Sequence, residues 1–194
     1  MAPIMTDKPT LRGEMARRRD ALGERARRCA AIHARLLAMP EWSAARVVHC
    51  YLSMRSEVDT HPLIDAALAQ GKRVVVPIVV PKAPELSHAW LESLGGDALV
   101  PGSFGTFNPR DARPAAPGDW DLTIVPLLAF DRRGYRLGYG KGFYDRLLAA
   151  SLTTSIGVGF AAQEIAALPD EAHDIALDWI VTEHELIEPR RTGI

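Results

Sequence analysis

The sequence predicts an α/β domain, an open and mostly parallel sheet flanked by helices in three layers. Three observations predict it. Short β-branched apolar runs alternate with stretches of helical periodicity. The 194 residues suffice for one sizeable core and are short for two, so residues 1–194 are expected to form a single domain. The strongest strand-like run is followed by a glycine-rich turn and a helix, the place where open α/β sheets present their ligands.

Residues from Lys8 to about Met39 read as one long helix or two abutting ones, with Leu11, Met15, Leu22, Ala26, Cys29, Ile32 and Leu36 at helical spacing. Gly23 marks a kink or break, and Pro40 stops the run. Arg46–Leu52 is a short apolar run of strand type. Thr60 is placed to cap a helix over His61–Gln70, with Pro62 in its first turn and Gly71 past its end. Lys72–Val80 is the next strand, limited by Pro77 and Pro81. Ser87–Glu92 alternates and predicts an antiparallel edge strand. Pro101–Gly118 reads as a long surface loop of the kind that is often functional. Asp121–Leu128 is the best buried strand, Phe143–Ala150 the helix after the glycine turn, and Ser155–Phe160 and Asp178–Thr182 two further strands. The pattern is Rossmann-like.

Composition narrows the function. A net charge of −1 gives no global case for nucleic acid or membrane binding. No apolar stretch is long enough to span a bilayer, and Met1–Thr10 has no apolar segment of secretory type. The region Arg12–Arg46 is rich in arginine (Arg17, Arg18, Arg19, Arg25, Arg27, Arg28, Arg35), which reads mainly as a solvated helix face. Cys29 and Cys50 are isolated thiols that suit a reducing cytosol, so a cytoplasmic location is expected. The six histidines lack metal-ligand spacing, and no GxSxG elbow is present, which argues against a zinc enzyme or a serine hydrolase.

The chemistry concentrates in Pro126–Arg146. Gly138, Gly140 and Gly142 alternate with Tyr139, Lys141 and Phe143. Glycines at that density let backbone N–H groups approach a phosphate, and Arg136 and Lys141 add positive charge. The helix from Phe143 offers its free N–H groups to the same anion. Asp145, in its first turn, suits either a divalent cation or the helix dipole. The P-loop pattern fails because Gly142 follows Lys141, and the spacing GxGxG is not the dinucleotide fingerprint. From glycine content alone, a structural turn and a phosphate cradle are equal readings.

The string Phe130–Asp131, Gly134, Arg136–Leu137–Gly138, Gly140, Gly142 and Tyr144–Asp145–Arg146 closely resembles the most diagnostic motif of the 5-formyltetrahydrofolate cyclo-ligase (methenyltetrahydrofolate synthetase) family. Lys8 and Leu11–Arg12 are similar to its N-terminal KxxLR, Leu52–Thr60 to its folate-contacting segment, and Glu171–Asp174 with Asp178–Glu183 to its acidic C-terminal segment. Phe143 departs from the tyrosine often found there, and Pro101–Pro109 fits the family pattern only loosely.

The resemblance implies conversion of 5-formyltetrahydrofolate to 5,10-methenyltetrahydrofolate with consumption of ATP and Mg²⁺, through a phosphorylated formyl oxygen. On that basis Lys8, Arg12, Arg136, Leu137, Gly138, Tyr139, Gly140, Lys141, Gly142, Phe143 and Tyr144 are expected to bind ATP, with Lys141 and Arg136 catalytic. Leu52, Met54, Glu57, Tyr139, Gly140, Lys141, Gly142 and Phe143 are expected at the folate, Glu57 accepting from the pterin edge. The resemblance implies Asp145 and Asp174 as the Mg²⁺ positions. Trp90 and Phe107 are candidates for a further aromatic wall. Plainer readings stand beside these: a frayed helix end for Lys8, a turn acid for Asp174, a helix-start charge for Glu57. Small-molecule substrates are the expected partners, with no nucleic acid and no membrane, in a monomer or weak homo-oligomer. The competing readings are a non-catalytic binding module on the same fold and a sugar-phosphate isomerase with a similar turn.

Overall fold

β-branched runs bounded by Gly and Pro pair with one another where their backbones can satisfy each other's hydrogen bonds. In the computed structural model, which describes residues 7–189, the elements in chain order are α1 (Lys8–Asp20), α2 (Arg25–Leu37), α3 (Pro40–Ala44), β1 (Val47–Cys50), α4 (His61–Ala69), β2 (Arg73–Ile78) and β3 (Ser87–Leu91). They continue with β4 (Leu99–Pro101), β5 (Phe107–Pro109), β6 (Pro114–Ala115), β7 (Leu122–Pro126), β8 (Ala129–Phe130), β9 (Arg136–Leu137), α5 (Phe143–Ala150), β10 (Thr154–Val158), β11 (Trp179–Val181) and β12 (Leu186–Ile187). The first residues, read as lacking a secretory signal, include positions 1–6, which lie outside the described residues.

One sheet runs in the order β12-β11-β10-β7-β1-β2-β3-β6. The pairs from β11 across to β2 are all parallel, and the flanking strands are antiparallel. The chain moves from β1 to β2 on one side and later places β7 on the other. The carboxyl ends of β1 and β7 therefore border a topological switch point, the position where such sheets bind ligands.

The two-residue period of the strands divides the core. Val48, Cys50, Val74, Val76, Leu122 and Ile124 face α2, α3 and α4 through Ile32, Leu36, Trp42, Leu63 and Ile64. Val75, Val125 and Ile180 face the other way, toward α5 through Leu147 and Leu148. Helices thus cover both faces, giving the expected three layers. Burying each large aliphatic side chain contributes about 1.5–3 kcal/mol, so replacing Ile32 or Leu63 by a charged residue would undo the first layer.

Several expectations are corrected. Of the two readings of the N-terminal run, two abutting helices is the one found, with the break over residues 21–24, which include Gly23 and the left-handed Glu24 (φ 54°). Ala26 is exposed, because the buried stripe of α2 starts at Cys29. Pro40 opens α3, since its missing N–H costs nothing in a first turn. Thr60 stands before α4 but does not cap it; its hydroxyl donates to Tyr51 O (2.6 Å). The strand at β3 is not the edge, because β6 pairs beyond it. The presumed loop 101–118 holds β6 and one strand of the β4–β5 hairpin.

The β8–β9 hairpin positions the site. Buried Asp131 accepts from Arg133 N (2.9 Å) and Leu168 N (2.9 Å). Gly134 has φ of 90°, and a Cβ there would meet Leu177 O at 2.9 Å. Helix α1 lies against this hairpin through Leu11 and Met15 on Ala129, Leu137 and Leu168. Its start is capped by Asp7, which accepts from Thr10 N at 2.6 Å.

Candidate functional site

Residues 138–142 join β9 to α5. Gly140 (φ +89°) and Gly142 (φ +64°) are left-handed, a conformation that strains any residue with a Cβ. Gly142 is also the N-cap of α5 and brings no side chain to it, so the N–H groups of the first turn keep their donor capacity toward an anion. The turn is open: a Cβ on Gly138 would meet nothing within 4 Å, and Tyr139, Gly140 and Lys141 are exposed. Arg12 lies against it, its Nε donating to Gly138 O at 2.9 Å and its guanidinium carbon 3.0 Å from where a Cβ on Gly140 would stand. The Lys141 ammonium has no hydrogen bond or ion pair among the described residues, while its carbonyl accepts from Arg146 Nη2 at 2.6 Å. Arg12 and Lys141 thus border an open turn that leads into the uncapped start of α5.

Below the turn, cations and carboxylates interlock. Arg136, whose side chain is 4% exposed, donates to Asp145 Oδ1 (2.8 Å) and Ile175 O (2.7 Å). Burial pulls its guanidinium below the ordinary value, opposed by the charge of Asp145. Lys8 Nζ lies 2.8 Å from Asp174 Oδ2 and 2.9 Å from Glu171 Oε1. The frayed-end reading of Lys8 therefore fails. Asp145 Oδ1 also accepts from Ile175 N (3.3 Å), which brings Asp145 beside the Asp174 segment.

These two acids suit magnesium. Asp145 Oδ2 has no hydrogen bond among the described residues, and Asp174 Oδ1 has only His173 Nε2 at 3.8 Å. No group of three or more His, Cys, Asp or Glu residues among the described residues is arranged to hold a metal ion. Magnesium needs none, since it is commonly held by one or two carboxylates with water and phosphate oxygens.

The folate-like segment follows β1. Glu57 is 7% exposed, and its Oε2 accepts from Met54 N at 3.0 Å. Its Oε1 accepts from Tyr139 Oη at 3.2 Å, so the glycine turn and Glu57 are brought together. Burial pushes the Glu57 carboxyl above the usual range, with the Met54 N–H, Arg19 and Tyr139 opposing. Leu52 is 9% exposed and belongs to the main core, so only its margin can face a ligand. Met54 and Phe143 are half-buried, the Phe143 ring lying 5.6 Å from the Arg146 guanidinium. The Tyr144 hydroxyl is buried and has no hydrogen-bond partner among the described residues.

Trp90 carries the guanidinium of Arg73, at the start of β2, 3.6 Å from its ring. Phe107 is 47% exposed on β5, and no ring contact or hydrogen bond links it to the turn among the described residues. Sequence reasoning missed Arg19, which is 2% exposed and donates to Tyr139 Oη at 2.8 Å. The available signal was its position, four residues after Met15 and eight after Leu11 on the stripe that packs inward.

Residues 4–183 match the model of the 5-formyltetrahydrofolate cyclo-ligase family. The 5-formyltetrahydrofolate cyclo-ligase of Escherichia coli K12 is 36% identical over 159 residues, 79% of this chain and 87% of its own. That of Mus musculus is 30% identical over 193 residues, 93% and 95% of the two chains. The NMR structure of Aquifex aeolicus 5,10-methenyltetrahydrofolate synthetase superposes with a TM-score of 0.82 at 33% identity, covering 96% of this chain and 95% of that one.

Proposed function

Given that the chain belongs to the 5-formyltetrahydrofolate cyclo-ligase family, we propose that it closes 5-formyltetrahydrofolate to 5,10-methenyltetrahydrofolate as a single domain that consumes ATP with Mg²⁺. The family makes it an enzyme of this ligase class; the nucleotide, the metal and the phosphorylated route are the proposal.

A formyl oxygen on nitrogen is a poor leaving group. Transfer of the γ-phosphoryl group to that oxygen gives it a good one, and ADP departs. The N10 lone pair then attacks the formyl carbon, the carbon–oxygen bond breaks, phosphate leaves and the N10 proton is lost. Little covalent work falls to the protein, so positioning and charge stabilisation dominate.

Residues 138–142 and the first turn of α5 would cradle the triphosphate. Arg12 supports the turn from below. Lys141, with no competing carboxylate, meets the charge that spreads over the transferring group. Arg136 holds Asp145 in place. Asp145 and Asp174 would hold magnesium, which when bound neutralises phosphate charge. Glu57 accepts N–H bonds from the pterin edge, with Met54 and Phe143 as apolar walls.

The observation that carries this reading is the open glycine turn with the unpaired Lys141 on it and Glu57 bonded to its Tyr139. Mixing the protein with 5-formyltetrahydrofolate, ATP and Mg²⁺ should produce the methenyl-folate absorbance, and omitting ATP should abolish it. A signal independent of ATP, or none with it, refutes the proposal.

A further inference from the structure

Arg19 sits on the helix that carries Lys8 and Arg12, yet it is buried. A guanidinium taken out of water needs its donors satisfied. Nε donates to Ser56 Oγ at 3.0 Å and Nη2 to Tyr139 Oη at 2.8 Å. Among the described residues it has no carboxylate within ion-pair distance, and both of these partners are hydroxyls. Those hydroxyls relay its charge. Ser56 donates onward to Asp20, and Tyr139 donates to Glu57 Oε1 at 3.2 Å. Arg19 thus reaches the Glu57 carboxylate through Tyr139, and through Ser56 it holds the residue that precedes Glu57 in the chain.

We propose that Arg19 is a positioning residue for the folate acid: acting through Tyr139 and Ser56, it fixes the Glu57 carboxylate and ties it to the glycine-rich turn. This rests on the reading of Glu57 as the pterin acceptor and of the turn as the nucleotide cradle. Tyr139 is 48% exposed on a turn of glycines, and ordering such a segment costs entropy. Two hydrogen bonds on one hydroxyl remove much of that freedom before either substrate arrives, which is pre-organisation. The Glu57 carboxylate is then held in place before the folate arrives.

The charges around Glu57 agree in sign. Arg19 faces it from α1, Tyr139 from the turn, Arg55 from its own loop, Tyr51 from the end of β1 and Tyr144 from α5. Burial raises the carboxyl and the cations oppose that rise. Removing Arg19's charge lifts Glu57 further, so protonation, and with it loss of folate binding, sets in at higher pH.

The test uses the full chain with Arg19→Gln, Arg19→Lys and Tyr139→Phe. Arg19→Gln should raise KM for 5-formyltetrahydrofolate about tenfold, the scale of a lost charged hydrogen bond, and change KM for ATP much less. The acidic limb of kcat/KM should move to higher pH. Arg19→Lys should return that limb toward its original position, because it restores charge without the fork. The Arg19→Gln and Tyr139→Phe effects should combine to less than their sum, since both cut one relay. Carbon-13 NMR titration of Glu57 should also move upward in Arg19→Gln. Unmoved titration and pH limb, equal rises in both KM values, or full additivity would overturn the proposal. Should Arg19→Gln not fold, Tyr139→Phe, which removes only a hydroxyl, carries the same titration test. Absence of ATP-dependent turnover in the unaltered protein would refute the function, whereas the Glu57 titration decides the Arg19 link by itself.

Discussion

Lys8 Nζ stands 2.8 Å from Asp174 Oδ2 across 166 positions of sequence. The contact closes the start of α1 onto the acidic C-terminal segment, so the two ends of the family motif meet in one place. Burial raises the Asp174 carboxyl, but Lys8 and the Glu171 N–H outweigh it and hold it below the usual range. A depressed carboxyl contributes stability above its ordinary value, and that contribution is lost as pH falls through the folded value. Lys8→Ala should therefore cost about 1 kcal/mol or less near neutral pH, since the pair is partly solvated. The variant should also lose part of the acid dependence of its urea midpoint below about pH 4. On the proposed reading Lys8 also meets the triphosphate, so the variant's KM for ATP should rise several-fold. An unchanged KM would leave Lys8 with a structural role only.

Lys141 offers a sharper kinetic contrast. Its ammonium has no partner to lose, so Lys141→Ala should leave thermal stability within about 0.5 kcal/mol of the parent, as for surface changes generally. On the proposed mechanism its charge matters most when the phosphoryl group is in flight. A fall in kcat of about 100-fold is expected, the scale of removing one transition-state donor, with KM for folate little altered. Full activity in this variant would remove the glycine turn from the reaction.

Glu57 has the opposite signature. Glu57→Gln keeps the shape but turns one acceptor oxygen into a donor amide, which cannot accept from a pterin N–H. KM for 5-formyltetrahydrofolate should rise about tenfold or more. Saturating kcat should fall much less. A KM unchanged in steady-state assays would place the pterin elsewhere.

How much of this was readable beforehand depends on how local each signal is. Helix α5 was found with its bounds because Gly142 opens it and the helical spacing follows directly. The central strands β1, β2 and β7 announce themselves as apolar runs. The two-residue strands β8, β9 and β12 are too short to show any period, and tertiary pairing alone defines them. The motif residues Phe130, Asp131 and Gly134 build the hairpin under the candidate site and do not reach its open face. Thr60 misled because a buried carbonyl, Tyr51 O, competed for its hydroxyl. Arg19 stayed hidden among neighbouring arginines, since composition does not tell a solvated guanidinium from one folded inward.

Gly140 tests the geometry of the turn itself. Alanine there must adopt φ of +89° and place its Cβ 3.0 Å from the Arg12 guanidinium carbon. The backbone cost is about 1–2 kcal/mol, and Arg12, being a flexible chain end, gives way. Gly140→Ala should therefore lower stability modestly and raise KM for ATP more than KM for folate, because Arg12 leaves Gly138 O. Gly138→Ala is the control: its Cβ meets nothing within 4 Å. Equal effects from the two substitutions would show that Arg12 contributes no order to the turn.

A buried histidine pair outside the site makes the stability of the fold depend on pH in the acid range. His49 Nε2 lies 3.1 Å from His88 Nδ1, both rings pack on Trp120, and the residues are 0% and 8% exposed. The bond requires one N–H and one bare nitrogen, so both rings cannot be charged. Burial lowers His49, helped by His88, and burial takes His88 down to about 4. The unfolded chain binds protons below its ordinary histidine value near 6.5 while the folded chain refuses them. Stability is therefore complete above pH 6.5, declines as pH falls from there, and levels off below about pH 4 as far as His88 is concerned. At pH 5 the loss from His88 alone is about 2 kcal/mol. Urea midpoints at pH 7 and pH 5, taken at constant m-value, measure it directly. His88→Gln should shrink the difference between the two midpoints, because the glutamine has no proton to gain. A parent protein with equal midpoints at both values would mean that the pair already carries a charge in the folded state.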